Sequence, residues 1–211
     1  MTPSELELAA RNRYNAVGDP HFSSAMIMDI IYQASMEIAN ECLCIEQSYT
    51  TTSIASTREY AYPTNAFAIR NVEYKGIKIF YTDLESDPKT STTTVTGTPA
   101  KYAIWNYELI LFPTPDTTGD TIKIFTYNRP QAVTTSSTLE IPSEYHLDMI
   151  DLILSVMYAK DQNNGMATYH RNLWERSLGR IKRHRMKKKS GDEFYTVRDQ
   201  VDAMGHPGVI F

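Results

Sequence analysis

Apolar residues recur at helical spacing at both ends of the chain and alternate with polar ones through its middle. That division predicts the elements. Near the start, Thr2 is placed to cap a helix, Pro3 takes its first position and Glu5 completes a capping box; this helix is expected to reach about Ala16, before the Gly18-Asp19-Pro20 break. Phe22 then precedes Ser23, a second N-cap. From Ala25 to Ile45 the residues Met26, Ile27, Ile30, Ile31, Ala34, Ile38, Cys42 and Ile45 fall on one stripe of a long amphipathic helix. An isolated stripe of that length has to be covered by other helices.

Between Ser48 and Tyr127 the composition turns to Thr, Tyr, Ile and Val, broken by Pro, Gly and Asn, which is a strand signature. The predicted strands are Tyr49–Ile54, Arg58–Ala61, Ala68–Tyr74, Ile77–Thr82, Lys101–Trp105, Glu108–Phe112 and Thr121–Tyr127. Lys75-Gly76 and Asn106-Tyr107 are short enough for hairpin turns, and the Thr/Ser-rich Asp83–Gly97 reads as a mobile loop. Short strands local in sequence predict antiparallel pairing. Helical spacing returns after Pro142, where Ser143 opens a helix that is apolar nearly all round. Asn163-Asn164-Gly165 is a turn. A last helix runs from Met166 to about Lys189 with Tyr169, Leu173, Leu178 and Ile181 as its inner face.

The expected fold class is therefore α+β: a helical bundle of about four helices, two N-terminal and two C-terminal, with an inserted antiparallel β module and an extended C-terminal arm. The expected divisions are 1–47 and 141–189 for the two halves of the bundle, 48–140 for the β insertion and 190–211 for the arm.

Composition narrows the function more than the fold. Apolar content of 42% and charge of 22% are ordinary for a globular protein, whereas fourteen tyrosines suit half-wet contact surfaces. No apolar run approaches the roughly 20 residues of a membrane helix, and the acidic first residues do not resemble a signal peptide, so no membrane partner is expected. Cys42 and Cys44, two apart in a predicted helix, face different ways and are expected to be reduced thiols. There is no GxxxxGK[ST] or GxGxxG loop. His21, His146, His170, His184 and His206 are dispersed, so neither a cofactor nor a metal is expected. The one acidic cluster, Glu144, Asp148 and Asp151, lies on one helix face. A metal-dependent nuclease could use such carboxylates, and a solvated helix start is the plainer reading. No nucleophile with a base and an orienting group is found, and the expectation is that the protein is not an enzyme.

Charge is unevenly distributed. From Arg171 on there are ten Lys/Arg against five Asp/Glu, a balance of +5; residues 1–170 carry eleven against twenty, or −9. The basic residues Arg180, Lys182, Arg183, Arg185, Lys187, Lys188 and Lys189 form a helix end that has three readings. They could bind phosphates without sequence preference, since no aromatic is interleaved for base stacking. They could favour the helix dipole ahead of a docking tail, or be a solvated surface. Beyond them the tail holds Phe194, Tyr195, Val197, Val201, Met204, Val209, Ile210 and Phe211, too scattered to fold alone. Such an apolar end either folds back on its own domain or inserts into another subunit or protein.

The layout and phrasing of the chain resemble the head-to-tail adaptor proteins of tailed bacteriophages, also called head-completion, tail-accessory or portal-connector proteins. The likeness runs from Arg13-Tyr14-Asn15 and Phe22-Ser23 through Glu59-Tyr60-Ala61-Tyr62-Pro63 and the Val72–Lys78 hairpin. It continues in Gly97-Thr-Pro-Ala-Lys-Tyr102, Leu109–Asp116, Tyr127-Asn-Arg-Pro130 and Ile141–His146. The resemblance implies a structural virion protein, assembled in the host cytoplasm as a ring homo-oligomer, expected to be dodecameric. Its implied partners are further copies of itself, the portal protein, tail or nozzle proteins and, non-specifically, packaged DNA. In several family members a C-terminal segment reaches the portal, so residues 194–211 become the expected portal-binding arm and 180–189 an expected portal- or DNA-facing surface.

Overall fold

A computed structural model describes residues 1–84 and 95–190, with backbone alone from 185 to 190. The chain divides into two compact units. One comprises Met1–Cys44 and the chain from Pro130 onward; the other is Ile45–Arg129.

In the first unit, helix α1 (Pro3–Tyr14) opens on the capping box: Glu5 N–H donates to Thr2 Oγ1 at 3.3 Å, and Thr2 N–H to Glu5 Oε2 at 2.8 Å. Arg11 is buried. Its guanidinium donates to Glu7 at 2.8 Å and to the carbonyls of Ala16, Asp19 and Phe22, so one side chain satisfies the backbone of the turn into the next helix. Helix α2 (Ser24–Cys42) is capped by Ser23 and buries Ile27, Ile31, Ala34 and Ile38 completely. It stops three residues before the predicted Ile45, where Leu43 takes a left-handed conformation with φ 50°. A 3-10 turn, Ser143–Asp148, leads into α3 (Met149–Lys160), whose buried residues lie all round the helix. Asn163 then caps α4 (Asn164–Ser190) by accepting from Met166 N–H at 3.2 Å. The inner face of α4 holds Trp174 and Ile181, both essentially inaccessible; Tyr169, expected there, is 55% exposed.

The second unit is a sheet. Its strands are β1 (Glu46–Thr52), β2 (Glu59–Ala61), β3 (Ala66–Tyr74), β4 (Ile77–Tyr81), β6 (Lys101–Trp105), β7 (Glu108–Phe112) and β9 (Thr121–Asn128). Two short strands, β5 (Thr96–Gly97) and β8 (Thr114–Pro115), pair with each other. The large sheet has the order β1-β9-β3-β4-β6-β7-β2. Its apolar core is built by Val72, Tyr74, Leu109, Leu111, Ile122 and Ile124, with Tyr60, Ile79 and Tyr102 around them.

This corrects the expected fold class. The chain is not a helical bundle carrying a small antiparallel module. Among the described residues it has four helices and a large, curled seven-stranded mixed sheet of half-barrel form. The strands mostly begin and end where alternation predicts, but β4 and β6 run parallel, with Phe80 opposite Lys101 and Tyr81 opposite Tyr102. Parallel neighbours need a crossover rather than a tight turn. That crossover uses the Asp83–Gly97 segment read as a plain loop, of which 85–94 lie outside the described residues.

Within this sheet β3 and β4 part company. They pair only from Val72↔Ile79 to Tyr74↔Ile77, after which β4 turns to β6. From Asn71 back to Ala66, β3 is paired only with β9 among the described residues, and that ladder slips twice, between Ala66 and Ala68 and between Ile69 and Asn71. Each slip leaves one extra residue, Phe67 and Arg70, and a bulge of this kind bends the strand and re-aims its side chains.

Candidate functional site

The predicted basic positions lie on the last turns of α4, and those described are largely committed within the subunit. Arg180 Nη2 donates to Asp148 Oδ1 at 2.6 Å. Lys182 Nζ donates to Glu41 Oε2 at 2.7 Å, a hydrogen bond that raises the ammonium pKa. Arg183 is exposed, with no ion-pair partner among the described residues. The side chains of Arg185, Lys187, Lys188 and Lys189, and all of the expected arm from Phe194 to Phe211, lie outside the described residues.

The acidic cluster is the other half of the same seam. Asp148 takes Arg180, Asp151 takes His170 at 3.0 Å, and Glu144 lies 3.9 Å from His184. The three carboxylates, read in sequence as one solvated face, are thus distributed along α4, each against its own partner. A pocket of about 330 Å³ lies at this seam, lined by Glu144, Tyr145, Asp148, Arg180, Ile181 and His184. Tyr145 bonds His184 Nδ1 at 3.0 Å, and burial together with Glu144 pushes its phenol pKa up. Among the described residues no group of three His, Cys, Asp or Glu is arranged to hold a metal, and Cys42 and Cys44 are not joined in a disulfide.

The sheet unit presents a surface that sequence reasoning missed. Where β3 and β4 diverge, a cleft of about 750 Å³ opens, walled on one side by Phe67, Ile69 and Arg70 and on the other by Tyr81, Ile104 and Tyr107. Tyr102 lies in it, edge-on to Tyr81 at 5.7 Å between ring centroids, and Arg129 stands at its margin. Burial raises the pKa of Tyr62 and Tyr102, so the cleft's formal charge rests on its two arginines. Arg70 is 3.4 Å from Glu46, and Arg129 has no ion-pair partner among the described residues. Two of its lining aromatics are exposed, Tyr81 at 61% and Tyr107 at 84%. Scattered exposed apolar residues are ordinary, but exposed aromatics at the mouth of an apolar cleft mark a contact surface. The Asn106-Tyr107 turn was the available signal. Its display of Tyr107 depends on the pairing of β6 with β7, which spacing alone does not reveal.

A family model described as SU10 adaptor protein matches residues 1–199. The match defines the class as a phage structural adaptor. The chain belongs to the SU10 adaptor protein family, a family of phage head-to-tail adaptors. No curated protein matches it. Membership implies a virion location and contact with other phage structural proteins. No helix among the described residues is long and apolar enough to cross a membrane.

Proposed function

We propose that this chain is a non-enzymatic head-to-tail adaptor that forms a ring, docks on the portal and offers tail or nozzle proteins their attachment platform. The observation that carries this reading is the family match across nearly the whole chain, residues 1–199. Two features support it: an ion-paired helical unit suited to rigid mounting, and a sheet unit with an exposed aromatic rim. The ring is dodecameric, assembled in the host cytoplasm on the portal as template. The segment 190–211 supplies the portal contact through its apolar residues. Assembly that waits for the portal as template leaves the free chain monomeric. The test is co-assembly of the full chain with a portal ring, read by native mass measurement, beside a chain truncated after Lys189. The full chain is expected to add several copies per portal and the truncated chain none. Equal binding by both would overturn the role of the arm.

The nucleic-acid reading rests on fewer free charges than the sequence suggests, because Arg180 and Lys182 are already paired. It predicts duplex DNA affinity falling steeply with salt, by a slope of about 0.9 per phosphate contacted. Salt-independent or undetectable DNA binding would reject it.

A further inference from the structure

We propose that the cleft between β3 and the β4–β6–β7 wall receives the stretch Asp192–Met204 of a second copy of this chain, added as a strand on the free edge of β3. Three observations converge on it.

The first is the edge itself. Ala66–Asn71 is extended and half-buried, yet strand-paired on only one side among the described residues. Six residues of open edge, about 20 Å long, can seat a strand by main-chain hydrogen bonds, with neighbouring side-chain pockets supplying selectivity. The second is chemistry. The cleft is aromatic and aliphatic, and its lining includes Arg70 and Arg129 but no carboxylate. Asp192–Met204 carries Asp192, Glu193, Asp199 and Asp202 against Arg198, a balance of −3. In extended register its positions 195, 197, 199 and 201 are Tyr, Val, Asp and Val. One face of such a strand therefore carries three apolar groups and one carboxylate, the complement of an apolar cleft with an unpaired arginine.

The third is strain. Tyr107 holds φ 61° while 84% exposed, a backbone position that a bulky residue rarely takes and that glycine or asparagine would fill at lower cost. Its carbonyl accepts from Tyr62 N–H at 3.1 Å and its backbone closes the β6–β7 hairpin, which accounts for the turn but not for a bulky aromatic in it. The exposed ring points to an external contact. Seating 192–204 in a neighbour leaves Val209, Ile210 and Phe211 for the portal contact, so a chain that docks without exchanging strands keeps the adaptor function and loses this one.

The test uses the full chain with a photocrosslinking phenylalanine analogue at position 107, and separately at position 81. Light and isotopically heavy copies are assembled together on a portal ring, native mass measurement confirms the complex, and the crosslinked peptides are mapped. Circular dichroism confirms that both substituted chains fold. Mixed-isotope crosslinks from position 107 or 81 into residues 192–204 are expected. Arg129→Glu should abolish them, and Arg129→Glu combined with Asp199→Arg should restore them. Crosslinks absent, confined to a single isotope, or unaffected by Arg129→Glu would overturn the proposal. So would crosslinking to an added oligothymidylate in place of the segment, which would mark the cleft as a single-strand nucleic-acid site.

Discussion

The indole Nε1 of Trp174 donates to Glu37 Oε2 at 2.6 Å, tying α4 to α2 through the largest fully buried side chain described. Burial of an indole leaves its N–H in need of a partner, and Glu37 supplies one from a position still 26% exposed. Trp174→Ala should therefore destabilise the helical unit by about 3–5 kcal/mol, through lost packing and a cavity. Trp174→Phe keeps most of the ring and should cost appreciably less. Urea unfolding of the two variants reads the difference; equal losses would mean that the hydrogen bond, not the packing, dominates.

His146 makes stability depend on pH. Its Nε2 donates to the Ile141 carbonyl at 2.7 Å, which leaves Nδ1 to accept from the Met1 ammonium at 3.1 Å. Burial holds its pKa below the ordinary imidazole value, and the facing ammonium adds to the effect, while the carbonyl opposes it. The unfolded chain therefore binds a proton that the folded chain refuses. Stability is at its plateau above about pH 6.5 and falls as pH drops towards the folded value, by at most about 1.4 kcal/mol per pH unit. His146→Gln, which can keep the donor to Ile141, should remove that slope in unfolding curves taken between pH 7.5 and 5.5. An unchanged slope would assign it to other groups.

The Arg180–Asp148 pair closes the α4 seam but sits at the surface, its arginine 64% exposed. Exposed pairs of this kind are worth about 0.2–1 kcal/mol. A double-mutant cycle with Arg180→Ala and Asp148→Ala should give a coupling in that range that shrinks at high salt. A coupling of several kcal/mol would show a buried, structural pair instead.

Tyr107→Gly should raise the stability of the isolated chain by up to about 1 kcal/mol, because glycine takes the left-handed turn without strain. The same change should weaken assembly between copies. Thermal unfolding of the free chain beside mass measurement of mixtures separates the two effects. A variant that is both more stable and assembles normally would remove the need for an aromatic there.

Much of the helical unit is legible in the chain. Thr2, Pro3 and Glu5 announce α1, and Ser23 announces α2, because capping is local chemistry. The end of α2 is less visible, since Leu43 adopts a left-handed cap usually left to glycine. On α4, Trp174 and Ile181 are seven apart and share a face, so the true inner stripe was present in the spacing. Tyr169, five before Trp174, drew that face round too far. The sheet is where local reasoning stops. Strand positions follow from alternation, but the parallel β4–β6 pair and the divergence of β3 from β4 depend on non-local pairing and on two bulges that no residue pattern marks. For the candidate surfaces, the basic run was visible as charge. Its neutralisation by Asp148 and Glu41 depends on helices brought together only by folding.

The central claim is that this protein works by being held between other virion proteins, and native mass measurement of the full chain mixed with a portal ring tests it most directly. A discrete complex carrying a fixed number of adaptor copies, from a chain that is monomeric alone, is the predicted result. A mixture that stays as separate portal and monomer under assembly conditions would contradict it.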